Sequence, residues 1–351
     1  MTRKEEIAVR RDDYRAELAD GTDRFYLLRR ASCPWCASPI LRERLRTTDL
    51  VQHKPGRFVL DECQACGHVF QNPRLTPEGL DFYYRDFYDG LGEEATAKLF
   101  QGRGSFKRFR ASARAMLRLA QPGKWLDVGT SHGHFCQAAA TVLPTTVFDG
   151  LDNCEGVERA VTEGRIARAY RGFFVDLVEE MTERYDVVSM FHYLEHTPDP
   201  KQELAAARTA LRAGGHLMIE VPDPESTYGR LLGRWWVPWL QPQHLHLMPM
   251  ANLCRELEAQ GFTVMATDRQ QPHIPADLVC ATWFLLTRVL PPEDAPWLPE
   301  RPRFVSRLAR VLLVLAAAPF LFAAWAADQL LAPLVRRTRL ANAYRIIARR
   351  D

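Results

Sequence analysis

The sequence has almost no net charge: 46 lysines and arginines stand against 43 acidic residues, a formal +3. Nothing in that balance calls for a polyelectrolyte partner, and no Lys/Arg cluster is interleaved with aromatics, so nucleic acid is not an expected partner. Residues 1–30 mix both charge signs and lack an apolar run, which argues against a cleaved secretory signal and for a cytoplasmic chain. Cysteine is scarce as well. The eight present fall into two Cys-x-x-Cys pairs and four isolated positions, Cys136, Cys154, Cys254 and Cys280, which suits metal binding in a reducing compartment better than a disulfide scaffold. Long apolar runs are missing except for one near the C-terminus. What remains is a globular composition, 47% hydrophobic over 351 residues, enough for two domains or one domain with large additions.

From residue 105 the pattern alternates. Helices are predicted over 105–120, 133–143, 154–164, 199–215 and 251–261, and short apolar strands over 124–129, 146–152, 166–172, 185–192, 216–223 and 262–268. Strands separated by helical segments predict a parallel, doubly wound (Rossmann-like) α/β sheet covered on both faces, with ligands at the carboxyl ends of its strands. The unusual residues fall at those ends.

Four signals stand out. Asp127-Val-Gly129-Thr-Ser131-His-Gly133 leaves a strand and opens a helix, so its glycines let backbone approach a ligand and the helix start offers free N–H groups. A phosphate loop or an ordinary tight turn competes with that reading, but the nicotinamide fingerprint fails because position 131 is Ser and the glycines are four apart. Asp152 ends the next strand, where an acid can hold both ribose hydroxyls, or can simply cap the following helix. In Arg171–Asp176, Phe173 or Phe174 can flank an adenine and Asp176 can accept from its amino group; a core Phe and a helix cap is the plainer alternative. Last, YDVVSMFHYLEH delivers His192, Glu195 and His196 to a strand end. Its His-x-x-Glu-His string also matches a zinc-protease pattern, but that needs both histidines on one helix face and here it straddles a strand end.

Together, motif one at 124–133, Asp152, YDVV…LEH at 185–196 and LRAGGHLMIEVPDP at 211–224 resemble the class I S-adenosylmethionine-dependent methyltransferases over roughly residues 105–270. The resemblance implies a seven-stranded sheet, S-adenosylmethionine held by Asp127, Gly129, Ser131, Gly133, Asp152, Phe173 and Asp176, and a base near the transferable methyl. Candidates for that base are His192, which the resemblance favours, Glu195, His196 and His244; the bland reading of Glu195–His196 is a pair capping the next helix. The loop is also similar to that of ubiquinone-pathway O-methyltransferases, where acidic residues and a His are associated with a divalent metal; His192 here replaces the first acid. The stretch 226–249 is expected to form an acceptor lid in which Trp235, Trp236 and Trp239 stack on a sugar or aglycone and His244 and His246 reach the acceptor, or in which the aromatics only pack the lid down.

Cys33-Pro-Trp-Cys36 and Cys63-Gln-Ala-Cys66 can each offer two thiolates to one tetrahedral ion, which predicts a structural zinc ribbon with His68 as a bystander. This segment resembles the N-terminal zinc-binding part of bacterial methyltransferases that modify sugars and cell-surface glycans. The run Val311–Ala327 is 17 residues without a charge, flanked by arginines. Because 343–350 resembles the family's last strand, which hairpins back beside 262–268, topology argues against a single membrane crossing; a membrane-surface or re-entrant hairpin, a dimer interface and a buried helix are the three expectations. The predicted organisation is a charged arm (1–30), zinc ribbon (31–75), linker helix region (76–104), methyltransferase domain (105–271), apolar helical insertion (272–340) and last strand (341–351). The expected function is methyl transfer from S-adenosylmethionine to a hydroxyl or carbon of a small-molecule, glycan or lipid-linked acceptor, in the cytoplasm or at the inner face of a membrane. An RNA methyltransferase and a non-catalytic scaffold are the alternatives; the oligomeric state stays open.

Overall fold

The computed structural model describes residues 3–87, 91 and 103–351. The N-terminal part consists of α1 (Arg3–Glu17), strands β1 (Leu41–Thr47), β2 (Phe58–Cys63) and β3 (Val69–Gln71), and α2 (Pro77–Tyr84). Thr76 starts α2 by accepting from the Gly79 amide at 3.1 Å, with Pro77 preset in the first turn. Phe82 and Tyr83 on this helix are buried against Tyr14, Phe25 and Phe58, so these two aromatics of 74–88 are packing residues. Tyr88 and most of the predicted linker beyond it lie outside the described residues.

Then α3 (Arg103–Leu117) leads into the alternation: β4 (Lys124–Val128), α4 (His134–Ala140), β5 (Val147–Asp152), α5 (Gly156–Thr162), β6 (Arg168–Arg171), α6 (Phe174–Leu177), β7 (Tyr185–Phe191), α7 (Pro200–Ala210) and β8 (Leu211–Pro222). The remainder is α8 (Thr227–Leu231), β9 (His246–Leu247), α9 (Met250–Ala259), β10 (Phe262–Asp268), α10 (Asp277–Thr287), α11 (Phe304–Val335) and β11 (Ala343–Arg350). Seven strands form one sheet in the order β10-β11-β8-β7-β4-β5-β6. The run from β8 to β6 is parallel, and β11 lies antiparallel between β8 and β10, as the hairpin reading of 343–350 requires. This is the doubly wound fold read from the sequence. Buried Leu126, Val128, Val188, Met190, Leu217 and Ile219 form the middle of its core. The predicted helix over 199–215 is shorter than expected: it stops at Ala210, and Leu211 already pairs with Tyr185 in the sheet.

A second sheet, β1-β2-β3-β9, joins the cysteine segment to the stretch after β8, with Val69 opposite Leu247 and Phe70 opposite His246. In the seven-stranded sheet, β11 is tied to β8 by a buried ion pair. Arg345 and Glu220 are each 2% exposed in their side chains, and Arg345 Nε donates to Glu220 Oε1 at 2.7 Å while its Nη2 donates to Ser112 Oγ at 2.7 Å. Burial alone would raise the Glu220 pKa, but the charges of Arg345 and Arg108 hold it below the usual value. Arg345→Leu strands that carboxylate, so we expect a loss of about 3–5 kcal/mol in urea unfolding.

Candidate methyl-transfer site

At the centre of the sheet β4 has β5 on one side and β7 on the other, so the chain reverses direction of winding there and leaves a crevice above the strand ends. The loop 129–133 after β4 and the turn 192–196 after β7 meet at this point. Gly129 has φ +75°, and a Cβ on it would come within 2.8 Å of the Tyr193 ring. Gly133, with φ +71°, begins α4 and sits against Ala160. Ser131 is left-handed too, at φ +48°, and its Oγ is buried with no hydrogen-bond partner. A serine held there and left unsatisfied is costly unless something else bonds it.

Asp152 faces this loop. One of its oxygens accepts from the Ser131 amide at 2.8 Å, the other from the Cys154 amide at 3.0 Å. The capping and loop-facing readings therefore describe one carboxylate. Asp127 is different: it is buried, accepts from Ser189 Oγ at 2.6 Å, and has its pKa raised to about 7 by burial. Its place is beneath the loop, holding β4 to β7. Phe173 is 60% exposed beside the crevice whereas Phe174 is fully buried, so only the former can flank a ligand. Asp176 lies in the first turn of α6.

The four candidate bases split into one cluster with distinct roles. His192 has φ +51°, a strained conformation for a side chain of its size, and its amide is fixed by the Glu220 carbonyl at 2.8 Å. Its Nδ1 lies 3.1 Å from Glu195 Oε1, while Nε2 has no hydrogen-bond partner. Glu195 is fully buried; burial pushes its pKa up, but His192, His244 and His196 together bring it below the usual value. His244 Nδ1 donates to the Pro238 carbonyl at 2.8 Å, and His196 Nδ1 sits 3.1 Å from the Gln243 carbonyl and 2.7 Å from Tyr84 Oη. A carbonyl can only accept, so His244 carries its proton on Nδ1 and turns an Nε2 lone pair elsewhere, whereas the Tyr84 hydroxyl can donate to or accept from His196 Nδ1. A Glu195 oxygen and one nitrogen each of His196 and His244 lie within 4.8 Å of one another and can hold a divalent cation, with the Nδ1 contacts fixing the rings. His192 and His196 are half-buried, while Glu195 and His244 have side chains only 0% and 7% exposed; the His192 side chain is 28% exposed, with its Nε2 buried and unpaired.

Two expectations are corrected. Trp236 and Trp239 are 1% and 2% exposed, packed edge-to-face on each other and bonded to Asp277 and the Gly233 carbonyl, so they pack the lid and do not stack on an acceptor. Half-buried Trp235 stacks under Arg288. His246 does not reach the crevice either: it is buried with Nδ1 3.0 Å from His68 Nε2, at the seam between the two sheets. Tyr84 and Tyr193 are site residues the sequence reading missed; nothing in local spacing links position 84 to position 196.

Burial also makes several histidines hard to protonate. His244 is pushed down to about 3 and His246 and His273 to about 4, burial being the main cause in each. The unfolded chain binds protons at these positions near pH 6.5 and the folded one does not, so stability falls as pH drops through that window. We expect the thermal midpoint to decline steadily from pH 7 to pH 5, before most carboxylates titrate; a flat profile over that range would contradict neutral buried rings.

The cysteine pairs come together as well. Cys33 Sγ lies 3.8 Å from Cys66 Sγ, and Cys36 Sγ 3.5 Å from Cys63 Sγ. A tetrahedral zinc with Zn–S bonds of about 2.3 Å needs sulfurs about 3.8 Å apart. All four thiols lie within 4.8 Å of one another, and His68, turned toward His246, is outside the group.

Residues 105–267 match the family model described as a methyltransferase domain. Ubiquinone biosynthesis O-methyltransferase from Pseudomonas savastanoi pv. phaseolicola is 29% identical over 130 residues, 35% of this chain and 55% of that protein. The enzyme of the same name from Aeromonas salmonicida is 33% identical over 88 residues, 23% of this chain and 37% of that one. The chain thus spans about half or less of the length of the curated relatives it matches. Among solved structures, magnesium protoporphyrin IX methyltransferase from Synechocystis superposes with a TM-score of 0.45 at 12% identity, covering 77% of this chain and 99% of that one. The central segment is a methyltransferase domain of the S-adenosylmethionine-dependent class. The chain carries it between a cysteine-bearing sheet and an apolar helical pair.

Proposed function

We propose that this protein transfers a methyl group from S-adenosylmethionine to a hydroxyl or carbon of a glycan, a lipid-linked sugar or a secondary metabolite. The observation that carries the reading is the convergence at the sheet's winding reversal of a left-handed glycine loop, an acid bonded to that loop, and a half-buried imidazole with an unpaired Nε2 on a strained backbone. In the crevice Gly129 and the Ser131 hydroxyl fit the cosubstrate's amino-acid end, Asp152 its ribose and Phe173 its base. The cosubstrate supplies a methyl already activated on a sulfonium.

The chain's own task is to seat the acceptor in line with that methyl and to take its proton. His192 does the latter: Nε2 accepts the proton, and Glu195 at Nδ1 holds the tautomer and steadies the resulting imidazolium. His196 and His244, kept neutral by burial, pack beside Glu195. Zinc in the four-cysteine site fastens the N-terminal sheet to the lid through β9. The O-methyltransferase names of the relatives favour oxygen as the attacked atom, and the resemblance of the cysteine segment, read from sequence alone, to sugar-modifying methyltransferases favours a glycan.

His192→Gln is expected to lower kcat by about 100-fold or more while leaving the Kd for S-adenosylmethionine within a factor of about two. A change of similar size in both would remove His192 from the proton transfer. For the acceptor, glycans, lipids and small molecules extracted from a deletion strain are incubated with the protein and methyl-labelled cosubstrate. A labelled glycan or lipid-linked sugar is expected; label only in RNA would overturn the acceptor class.

A further inference from the structure

We propose that α10 and α11 dock this protein onto an anionic lipid bilayer, with α11 lying in the plane of the interface and not crossing it. α11 is one helix of 32 residues with a mean hydropathy of 2.0 over its most apolar stretch, and none of that stretch is buried. A core helix of a soluble domain would be covered, so the buried-helix expectation fails.

α10 runs antiparallel along one side of α11. Asp328 accepts from the Leu278 and Val279 amides at 3.0 and 2.9 Å, and toward the other end Arg310 donates to the Pro291 carbonyl at 2.7 Å. The rest of α11 is bare and apolar: Val311, Leu312, Leu315, Phe320, Phe322 and Trp325 are 54%, 58%, 63%, 71%, 66% and 48% exposed. At 100° per residue these side chains and Leu313 cover roughly 240° of the helix circumference. That arc decides between occupants. A second copy packing on one face would cover a stripe of about 100° and leave the remainder in water. Acyl chains can cover all of it.

Charge placement agrees. Arg303 and Arg307 precede the apolar stretch and Arg336, Arg337 and Arg339 follow it, and among the described residues none of these five is in an ion pair. Arginines at both ends of an apolar helix meet phosphate headgroups on one leaflet. Both ends are also tied to the water-soluble body, which forbids a crossing. The segment just before α11 folds back on α1 through Arg11–Asp294 at 2.6 Å and the Tyr14–Trp297 ring contact at 5.6 Å. After α11, the chain enters β11, which lies between β10 and β8 in the sheet. An interfacial helix held this way sinks roughly 5–10 Å into the headgroup boundary. Since α10 bonds to the lid through Asp277 and Trp236 at 2.7 Å, docking places the lid beside the membrane. The inference stands without the methyl-transfer reading.

The test is flotation of the full-length protein with phosphatidylcholine vesicles, alone or with about one third phosphatidylglycerol. Binding to the anionic vesicles is expected, weakening with salt. Leu312→Glu combined with Leu315→Glu and Phe322→Glu should reduce it roughly 100-fold with an unchanged circular-dichroism spectrum. Bromine near the top of the acyl chains should quench Trp325 fluorescence more than bromine at their ends, and Trp325→Phe should remove that difference. If the wild-type protein floats with neither vesicle, and sediments as a dimer that the triple substitution separates, the occupant is a second copy and the proposal is overturned. Stronger quenching from the bilayer centre would overturn the in-plane placement.

Discussion

Gly129→Ala is expected to weaken S-adenosylmethionine binding by about 100-fold or more while leaving the fold intact, as read by calorimetric titration beside circular dichroism. Two costs combine. A left-handed backbone at φ +75° penalises any Cβ by roughly 1–2 kcal/mol. The added carbon would also lie 2.8 Å from Tyr193 Cδ2 and 3.2 Å from its Cβ. Tyr193 cannot step aside cheaply, because its hydroxyl donates to Glu203 at 3.1 Å and its half-buried ring packs on the core. The loop must therefore move, carrying with it the Ser131 amide that Asp152 accepts. Each tenfold of affinity corresponds to about 1.4 kcal/mol, so the two costs account for 100-fold. A Kd within threefold of the wild type would show that the loop does not hold the cosubstrate.

The second large effect falls on the cysteines. Cys33→Ser with Cys63→Ser is expected to take zinc from one per chain to none, measured by atomic emission, and to unfold the N-terminal sheet. Without a metal the cysteine end of that sheet has little to hold it, since β3 has 3 residues, β9 has 2 and the cluster around Cys33, Cys63 and Phe70 is small, whereas Leu60 and Val69 still pack on Trp236 and Trp239 at its other face. A structural zinc contributes on the order of 10 kcal/mol to such a module. Because β9 comes from the stretch that also carries His244, losing the sheet should disturb Glu195 and His196 and depress turnover along with stability. A wild-type chain that purifies without zinc and melts at the same temperature as the double variant would refute the ribbon.

Much of the sheet was legible because its physics is local. Each parallel strand is a short apolar run between helical segments, and 343–350 was legible as an antiparallel partner only through its resemblance to the last strand of the methyltransferase family. The glycine loop and Asp152 were legible for a related reason, since a fold that binds at strand ends leaves few places where left-handed glycines and an acid occur together. What escaped the reading depends on partners distant in sequence. Tyr84 bonds His196 across 112 positions, and His68 meets His246 across 178. A tryptophan-rich lid looks the same in sequence whether its rings face an acceptor or each other; only the Asp277 carboxylate, 41 residues beyond Trp236, settles that they face inward. The end of α7 at Ala210 was missed because Leu211 is an adequate helix residue whose strand pairing with Tyr185 outweighs propensity.

The central claim, that the crevice above β4 and β7 holds S-adenosylmethionine, is tested most directly by titrating the zinc-loaded, full-length protein with that cosubstrate in a calorimeter. The account predicts one molecule bound per chain, with Asp152→Ala weakening it by about tenfold or more. Absence of any binding by the wild-type chain, or equal binding by the Asp152→Ala variant, would contradict it.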